Sequence, residues 1–442
     1  MPNTTDIFLD FLFRRAEAIT PSALQKAREC LADYIAVTVA GASYAKSLWG
    51  SFLAQVRSGE VPLLGYGVKT DGRTACLVNG YNAHCLELDD GQRYAMIHLG
   101  ASIISALLSA SCENIVETED FLKGVVMGYE AACRLALAVQ PGHKKRGFHT
   151  AGTCGTVGAA VGVAFALKMG LAQMKTVLSA AVGSAAGMLE LQEQGSQLKP
   201  FNLGRAAMDG LSAAYMGFTT AVGPDDVLGG DRGFFKLFTD EAKVDRLVQE
   251  SESFEIERIY VKPYAACRHC HSAIEAALAL RSCLPLDDIA GITVKTYSLA
   301  IKGHDHAAIS GLASAKLSIP YSVAAAFVLG TGGVEAFTED NCRRADILSL
   351  MKKVAVQEVE RPRELPADAR FATVEVKGRK GEEFSHRVDY AKGDAENPLT
   401  REEMQGKISS LLKVAANEDK LLAQCAALLD GNGNVRQLLC LL

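Results

Sequence analysis

"IERIYVKPYAACRHCHSA", residues 256–273, marks the point where the character of the chain changes. The residues before it read almost entirely as helix. "TPSALQKARECLADYIAVTVAG" offers Thr20 as a cap, Pro21 in the first turn and Gly41 as a stop. "TEDFLKGVVMGYEAACRLALAV" begins at Thr118 with Glu119 and Asp120 where the helix dipole favours acids. Stretches at 155–170, 172–190 and 204–222 continue the pattern with Gly and Ala dense enough for close helix packing. From "IERIYVKPY" onward, "IAGITVKTYSL", "RFATVEVKG" and "EEFSHRVDY" are β-branched and alternating, as strands are, with helical segments at 271–283 and 316–330. "PLTREEMQGKISSLLKVAA" and the tail return to helix. The pattern predicts a mainly α protein: an all-helical domain over 1–255, a smaller α+β lid domain over 256–392, and C-terminal helices over 393–442 packing back on the first.

At 442 residues the chain is too long for one compact core. Hydrophobic residues make up 49% and charged residues 22%, an ordinary globular balance. The net charge of −5 leaves no basic surplus for a phosphate backbone, so no nucleic-acid partner is expected. The apolar runs near 155–167 and 177–191 fall short of the roughly 18 residues a membrane span requires, and no membrane partner is expected. The first residues carry acids within their apolar stretch and read as an amphipathic helix rather than a secretion signal. Twelve cysteines scattered from Cys30 to Cys440 read as reduced core residues of a cytoplasmic protein.

Five segments carry candidate chemistry. In "NAHCLELDDGQRYAMIHLGAS", His84, Glu87 and Asp90 recur at spacings of three, which on a helix is one face. A loop then leads to His98. "KKRGFHTAGTCGTVGAA" places His149, Thr150 and Thr153 just ahead of an apolar helix, whose first N–H groups suit an anion. It lacks the Gly-Lys-Ser/Thr of a phosphate loop. "QLKPFNLGRAAMDG" sets Lys199 before a helix start, and "AKLSIPYSVAAAF" sets Tyr321 at the head of another, where a tyrosine is ordinarily core. In the opening stretch, Cys267 and Cys270 have zinc-like spacing, but no matching Cys/His pair follows at zinc-site distance, so no metal is expected.

In this order and spacing the five segments resemble the MmgE/PrpD family, which includes 2-methylcitrate dehydratases, cis-aconitate decarboxylases and iminodisuccinate epimerases. The family's Asn-Gly-x-x-x-His-x-x-Asp-Phe-Asp-Asp run is matched from Asn79 to Asp90, and its His-Pro-Gly/Ser by His98-Leu99-Gly100. Its Gly-x-His-x-Thr/Pro element is matched from Gly147 to Thr150, and its Lys-Pro by Lys199-Pro200. Lys262, Cys267 and His271 match its Lys-x-x-Pro-x-Cys element, and Ser318 and Tyr321 its Phe-Ser-x-x-Tyr helix. Three departures stand out: Glu87 where the family usually has Asp, Leu99 for Pro, and Gly91 at an often bulkier position. At Cys267 the cis-aconitate decarboxylase branch has His.

The resemblance implies a helical domain with an α+β lid, a homodimer, and catalysis on a small polycarboxylate without metal or organic cofactor. Such chemistry removes a proton next to a carboxylate, or replaces that step by decarboxylation. Lys199, Lys262 and Arg268 would hold the carboxylates, with Thr150, Cys267 and His271 lining the pocket. His98 and His149 would act as base and acid, with Asp90 or Glu87 orienting one of them and Tyr321 donating to a leaving hydroxyl or enolate. The leading expectation is dehydration of a 2-methylcitrate-like hydroxy acid. The alternatives are an iminodisuccinate-type epimerase, a cis-aconitate-type decarboxylase and a non-catalytic binding relative.

Overall fold

A computed structural model describes residues 3–442. The helix Thr150–Ala166 stands at the centre of the first part, buried along nearly its whole length. It packs against the helices Gly100–Glu113, Thr118–Val139 and Phe201–Tyr215. Small residues permit this approach: a methyl group at Gly128 would lie 2.8 Å from the Gly158 carbonyl oxygen, and one at Gly158 would lie 2.7 Å from that of Gly128. Backbone-to-backbone contact of this kind makes a fully apolar helix a core element. No helix among the described residues is long and apolar enough to cross a membrane.

The expected helix at 172–190 ends sooner, at Gly183, and a 3₁₀ turn over Leu189–Gly195 follows it. The helix expected at 204–222 runs instead over Phe201–Tyr215, beginning directly after Pro200, which carries no N–H to satisfy.

The second part is built on a four-stranded sheet in the order Val354–Glu358, Ile289–Thr296, Ala372–Gly378, Glu383–Val388. The first pair is parallel and the other two antiparallel. Ile292, Val294 and Thr296 are buried in strict alternation, and Val294 sits opposite Val356 and Val374. The helix His271–Leu280 covers the last two strands and is itself covered by Ile319–Leu329. The helices Arg401–Leu412 and Glu418–Leu429 pack on the long helix Pro21–Tyr44.

"IERIYVKPY" yields only the two-residue strand Tyr260–Val261, because a 3₁₀ turn occupies Glu255–Arg258 and Pro263 has no N–H for a ladder. That short strand nevertheless joins the two parts, pairing antiparallel with Asp90–Gly91. Gly91 is required there, since a methyl group on it would lie 2.4 Å from the Tyr260 hydroxyl. The pairing brings the 84–98 segment against Lys262.

Candidate active site

The helix Gly72–Cys85 stops before Glu87, so His84, Glu87 and Asp90 do not share a helical face. Glu87 instead adopts a left-handed backbone, φ 55°, which for a residue with a Cβ costs about 1 kcal/mol or more. This turn aims its carboxylate between two lysines. Lys199 donates to one oxygen, and Lys262, completely buried, donates to the other at 2.9 Å. Burial alone would raise the Glu87 pKa; the two ammonium groups hold it well below the carboxylate range. Reciprocally, Glu87 and Asp89 outweigh burial at Lys262 and raise its pKa.

Asp89 forms the second centre. Its Oδ2 lies 2.7 Å from His84 Nδ1 and 3.2 Å from His98 Nδ1, and its Oδ1 lies 3.5 Å from Lys262 Nζ. Both imidazoles present Nδ1–H here: His98 Nδ1 also donates to the Asp90 carbonyl at 2.9 Å, which can only accept. Burial brings His84 down to about 4 in spite of the neighbouring acids, so it stays neutral. His84, Asp89 and His98 are close enough to chelate an ion. The Lys262 ammonium already meets Asp89 there, which makes the cluster a poor fit for a second cation.

Of these residues, Glu87, His98 and Lys199 reach the wall of a cavity of about 480 Å³ between the two parts. Glu87, His98, His149, Thr150 and Lys199 line it from the helical side, and Cys267, Arg268, His269, His304 and Arg370 from the other. Lys144 and Lys302 stand at its edge. Burial, then Lys199, push His149 well below its ordinary pKa, and its Nδ1 lacks a partner. Cys267 Sγ lies 3.2 Å from His304 Nε2. A larger hollow of about 630 Å³ lies on the far side of Glu87 and Lys199, walled by Tyr44, Leu48, Tyr81 and Phe337. Lys316 and Lys199 are the cations on its wall, which it shares with Glu87, Glu335 and Glu339.

The family models for the MmgE/PrpD N-terminal domain and C-terminal domain match residues 14–247 and 264–430. The chain belongs to the MmgE/PrpD family. Its relatives include cis-aconitate decarboxylase from Homo sapiens, 22% identical over 91% of this chain and 89% of the relative. The Mus musculus cis-aconitate decarboxylase is 24% identical over 79% of this chain and 72% of its own length. The cis-aconitate decarboxylase-like protein oryM of Aspergillus oryzae is 24% identical over 96% and 94%.

Of the candidate site residues, the structure gathers Glu87, His98, His149, Thr150, Lys199, Cys267 and Arg268 around one cavity, with Lys262 directly behind Glu87. Three residues stand apart from it. Asp90 turns away, accepting from Gly100 N–H at 2.9 Å and from the Tyr129 hydroxyl; burial raises its pKa to about 6. It is the Asp89 carboxylate, not that of Asp90, that meets the histidines. Tyr321 is fully buried and spends its hydroxyl on the Ala336 carbonyl at 2.9 Å, its amide being capped by Ser318, so it cannot donate to a ligand in the cavity. His271 lies behind Arg268, accepting from its guanidinium at 2.7 Å and donating to the Ala266 carbonyl at 3.1 Å. It orients Arg268, which Asp394 also holds at 2.7 Å.

Sequence reading missed Asp89, Lys144, Arg370 and His304 as contributors. Asp89 and Lys144 lie inside the quoted segments 82–102 and 144–160, and His304 left a signal of its own in the polar "KGHDH" run, residues 302–306, between helical segments.

Proposed function

We propose that the chain is a lyase acting on a small tricarboxylate, with cis-aconitate-type decarboxylation as its first reaction. One observation carries the substrate class. Among the described residues lining the cavity, Lys144, Lys302 and Arg370 take part in no ion pair, while Lys199 and Arg268 are paired with buried acids. In a chain of net charge −5, that leaves three cations without ion pairs along one cavity, Lys302 at its exposed rim. A ligand with three carboxylates neutralises them.

The reaction follows from what surrounds those cations. Lys144, Lys302 and Arg370 fix the carboxylates, and Lys199 faces the centre where charge develops. Loss of CO₂ breaks a C–C bond and leaves its electron pair on carbon, spread towards a neighbouring carboxylate. Lys199 and the Arg268 guanidinium stabilise that charge. His98, whose Nδ1–H is fixed by the Asp90 carbonyl and the Asp89 carboxylate, supplies the returning proton from Nε2, acting as an imidazolium whose charge Asp89 balances. The decarboxylases among the relatives support this choice of reaction. Dehydration of a 2-methylcitrate-like hydroxy acid is the second reading, favoured by Cys267 standing where the decarboxylase branch has His. There, His149, kept neutral by burial, takes the proton next to a carboxylate and hydroxide leaves from the adjacent carbon with a proton from His98.

The test is direct. The purified protein is given cis-aconitate and, separately, 2-methylcitrate, followed by proton NMR in heavy water with CO₂ measured in parallel. CO₂ release matching cis-aconitate loss supports the first reading; a new alkene from 2-methylcitrate supports the second. No conversion of either overturns both, and deuterium exchange without conversion points to an epimerase.

A further inference from the structure

Cys267 ends the loop before the 3₁₀ turn Arg268–Cys270 and is half-buried at the cavity wall. His304 comes from a different segment, the loop after the short helix Ser298–Ile301. Its Nδ1 lies 3.0 Å from the Lys302 carbonyl, which can only accept, so Nδ1 carries a proton. Its Nε2 points at the Cys267 sulfur, 3.2 Å away. An imidazole fixed through one nitrogen and aimed at a thiol with the other is the geometry that takes the thiol's proton. The thiol is also open to the cavity, unlike the buried Cys76, Cys85 and Cys154.

The surroundings favour a negative sulfur. Lys144 from the short helix Gly142–Lys145, Lys199 from the stretch before Phe201, and Arg370 from the approach to the strand Ala372–Gly378 line the same cavity and put positive charge near the sulfur. Lys262 adds charge from behind. Glu87, Cys270 and Tyr297 are the groups that oppose ionisation, and Glu87 is already committed to its two lysines. His269 donates no charge, being held neutral by burial and Arg370. Burial of Cys267 alone would raise its pKa; the His304 charge and hydrogen bond reverse this and bring it to about 6, while His304 is raised in turn.

We propose that Cys267 and His304 form a thiolate–imidazolium pair that is a covalent capture site for small carboxylate-bearing electrophiles, α,β-unsaturated carboxylates above all. The cations that would hold a substrate carboxylate steer such a molecule to the sulfur. With an unsaturated acid, the thiolate forms a C–S bond at the β-carbon as the C=C π bond breaks. The electron pair moves to the α-carbon, which takes the Nε2 proton of His304, so the adduct carries the whole mass of the reagent. Resting on the reading of the cavity as a tricarboxylate lyase site, this gives regulation of the same site: an unsaturated product that accumulates closes it.

The experiment uses the whole protein and reads adducts residue by residue by mass spectrometry, with the exposed thiol Cys440 as an ordinary thiol in the same molecule. At pH 6, a thiol with pKa about 6 is half ionised, against roughly 0.1% for an ordinary one. After its lower nucleophilicity is discounted, Cys267 reacts about tenfold faster than Cys440 with iodoacetate. Iodoacetate outpaces neutral iodoacetamide at Cys267 and not at Cys440. Maleate adds its full mass at Cys267 alone. His304→Gln abolishes the advantage, while Cys440 in that variant keeps its rate and so reports an intact fold. Equal rates at the two thiols, no preference for the anionic reagent, or no maleate adduct each overturns the proposal. None of these readings depends on turnover, so failure of the lyase reading is seen separately, as no conversion of either acid.

Discussion

Replacing Glu87 by Gln removes the one charge that sits between Lys199 and Lys262 while keeping the side-chain shape. Lys262 is fully buried and meets Glu87 at 2.9 Å and Asp89 at 3.5 Å. With an effective dielectric of about 20, these attractions are about 6 and about 5 kcal/mol before desolvation is subtracted. The variant therefore keeps nearly half of the field that makes a buried ammonium tolerable. Breaking a buried pair by removing one partner typically costs about 3–5 kcal/mol; the surviving Asp89 places this case near about 3 kcal/mol. The pH dependence has a definite sign. The Glu87 pKa is depressed in the folded state, so its contribution is present above its ordinary value and lost as pH falls through the folded one. The Lys262 pKa is raised, so its contribution is present below its ordinary value and lost as pH rises through the folded one. The gap between wild type and Glu87→Gln is thus widest near neutrality and narrows at both extremes. Urea denaturation across pH measures it. A gap below about 1 kcal/mol at pH 7, or one unchanged with pH, refutes the reasoning.

Lys199→Ala weakens, without abolishing, the thermal stabilisation by tricarboxylates that a true ligand gives by mass action, and an unchanged shift removes Lys199 from the site. Tyr321→Phe loses one buried hydrogen bond to a carbonyl, so it costs about 1–2 kcal/mol in denaturation with kcat nearly unaltered. A large fall in kcat with the fold intact would return Tyr321 to the chemistry. Asp90, with its pKa raised from 3.8 to about 6, binds a proton more tightly folded than unfolded. It makes stability fall by about 3 kcal/mol as pH rises from about 4 to about 6 and level off above. Asp90→Asn removes that slope, which equilibrium unfolding at three pH values detects.

The helices were legible because their signals are local. Thr20 accepts from Ala23 N–H and Pro21 opens the first turn, as any reader of capping rules expects. The strands of the sheet were legible by alternation. What escaped were features set by partners far along the chain. A left-handed Glu87 is unfavourable alone and is held by lysines 112 and 175 residues away. Asp89 and Asp90 are indistinguishable as neighbours in sequence, yet the extended pairing at Tyr260–Val261 sends them to opposite sides, one to the histidines and one to Tyr129. His304 gains its meaning only from a cysteine 37 residues earlier. Tyr321 shows the opposite case: the plain reading of a tyrosine at an apolar helix head as core matches its placement, and the family motif alone suggested more.

The arrangement also separates cations that hold structure from cations that can meet a ligand. Lys262 has no exposed surface, and both acids within its reach are already bound to it, so it acts by fixing Glu87 and Asp89. Arg268 lines the cavity, but two backbone carbonyls, His271 and Asp394 use its donors, which makes it a fixed positive wall. Lys199 is intermediate: it is paired with Glu87, yet it lines the cavity. A carboxylate arriving there competes with Glu87 for one ammonium, and Lys262 keeps hold of Glu87 when it loses. The strained turn at Glu87 thus lets Lys199 exchange partners without leaving a buried acid unpaired. A shorter Asp at that position, reaching one methylene less, would meet fewer of these partners at once, which gives a physical reason for this chain to carry Glu.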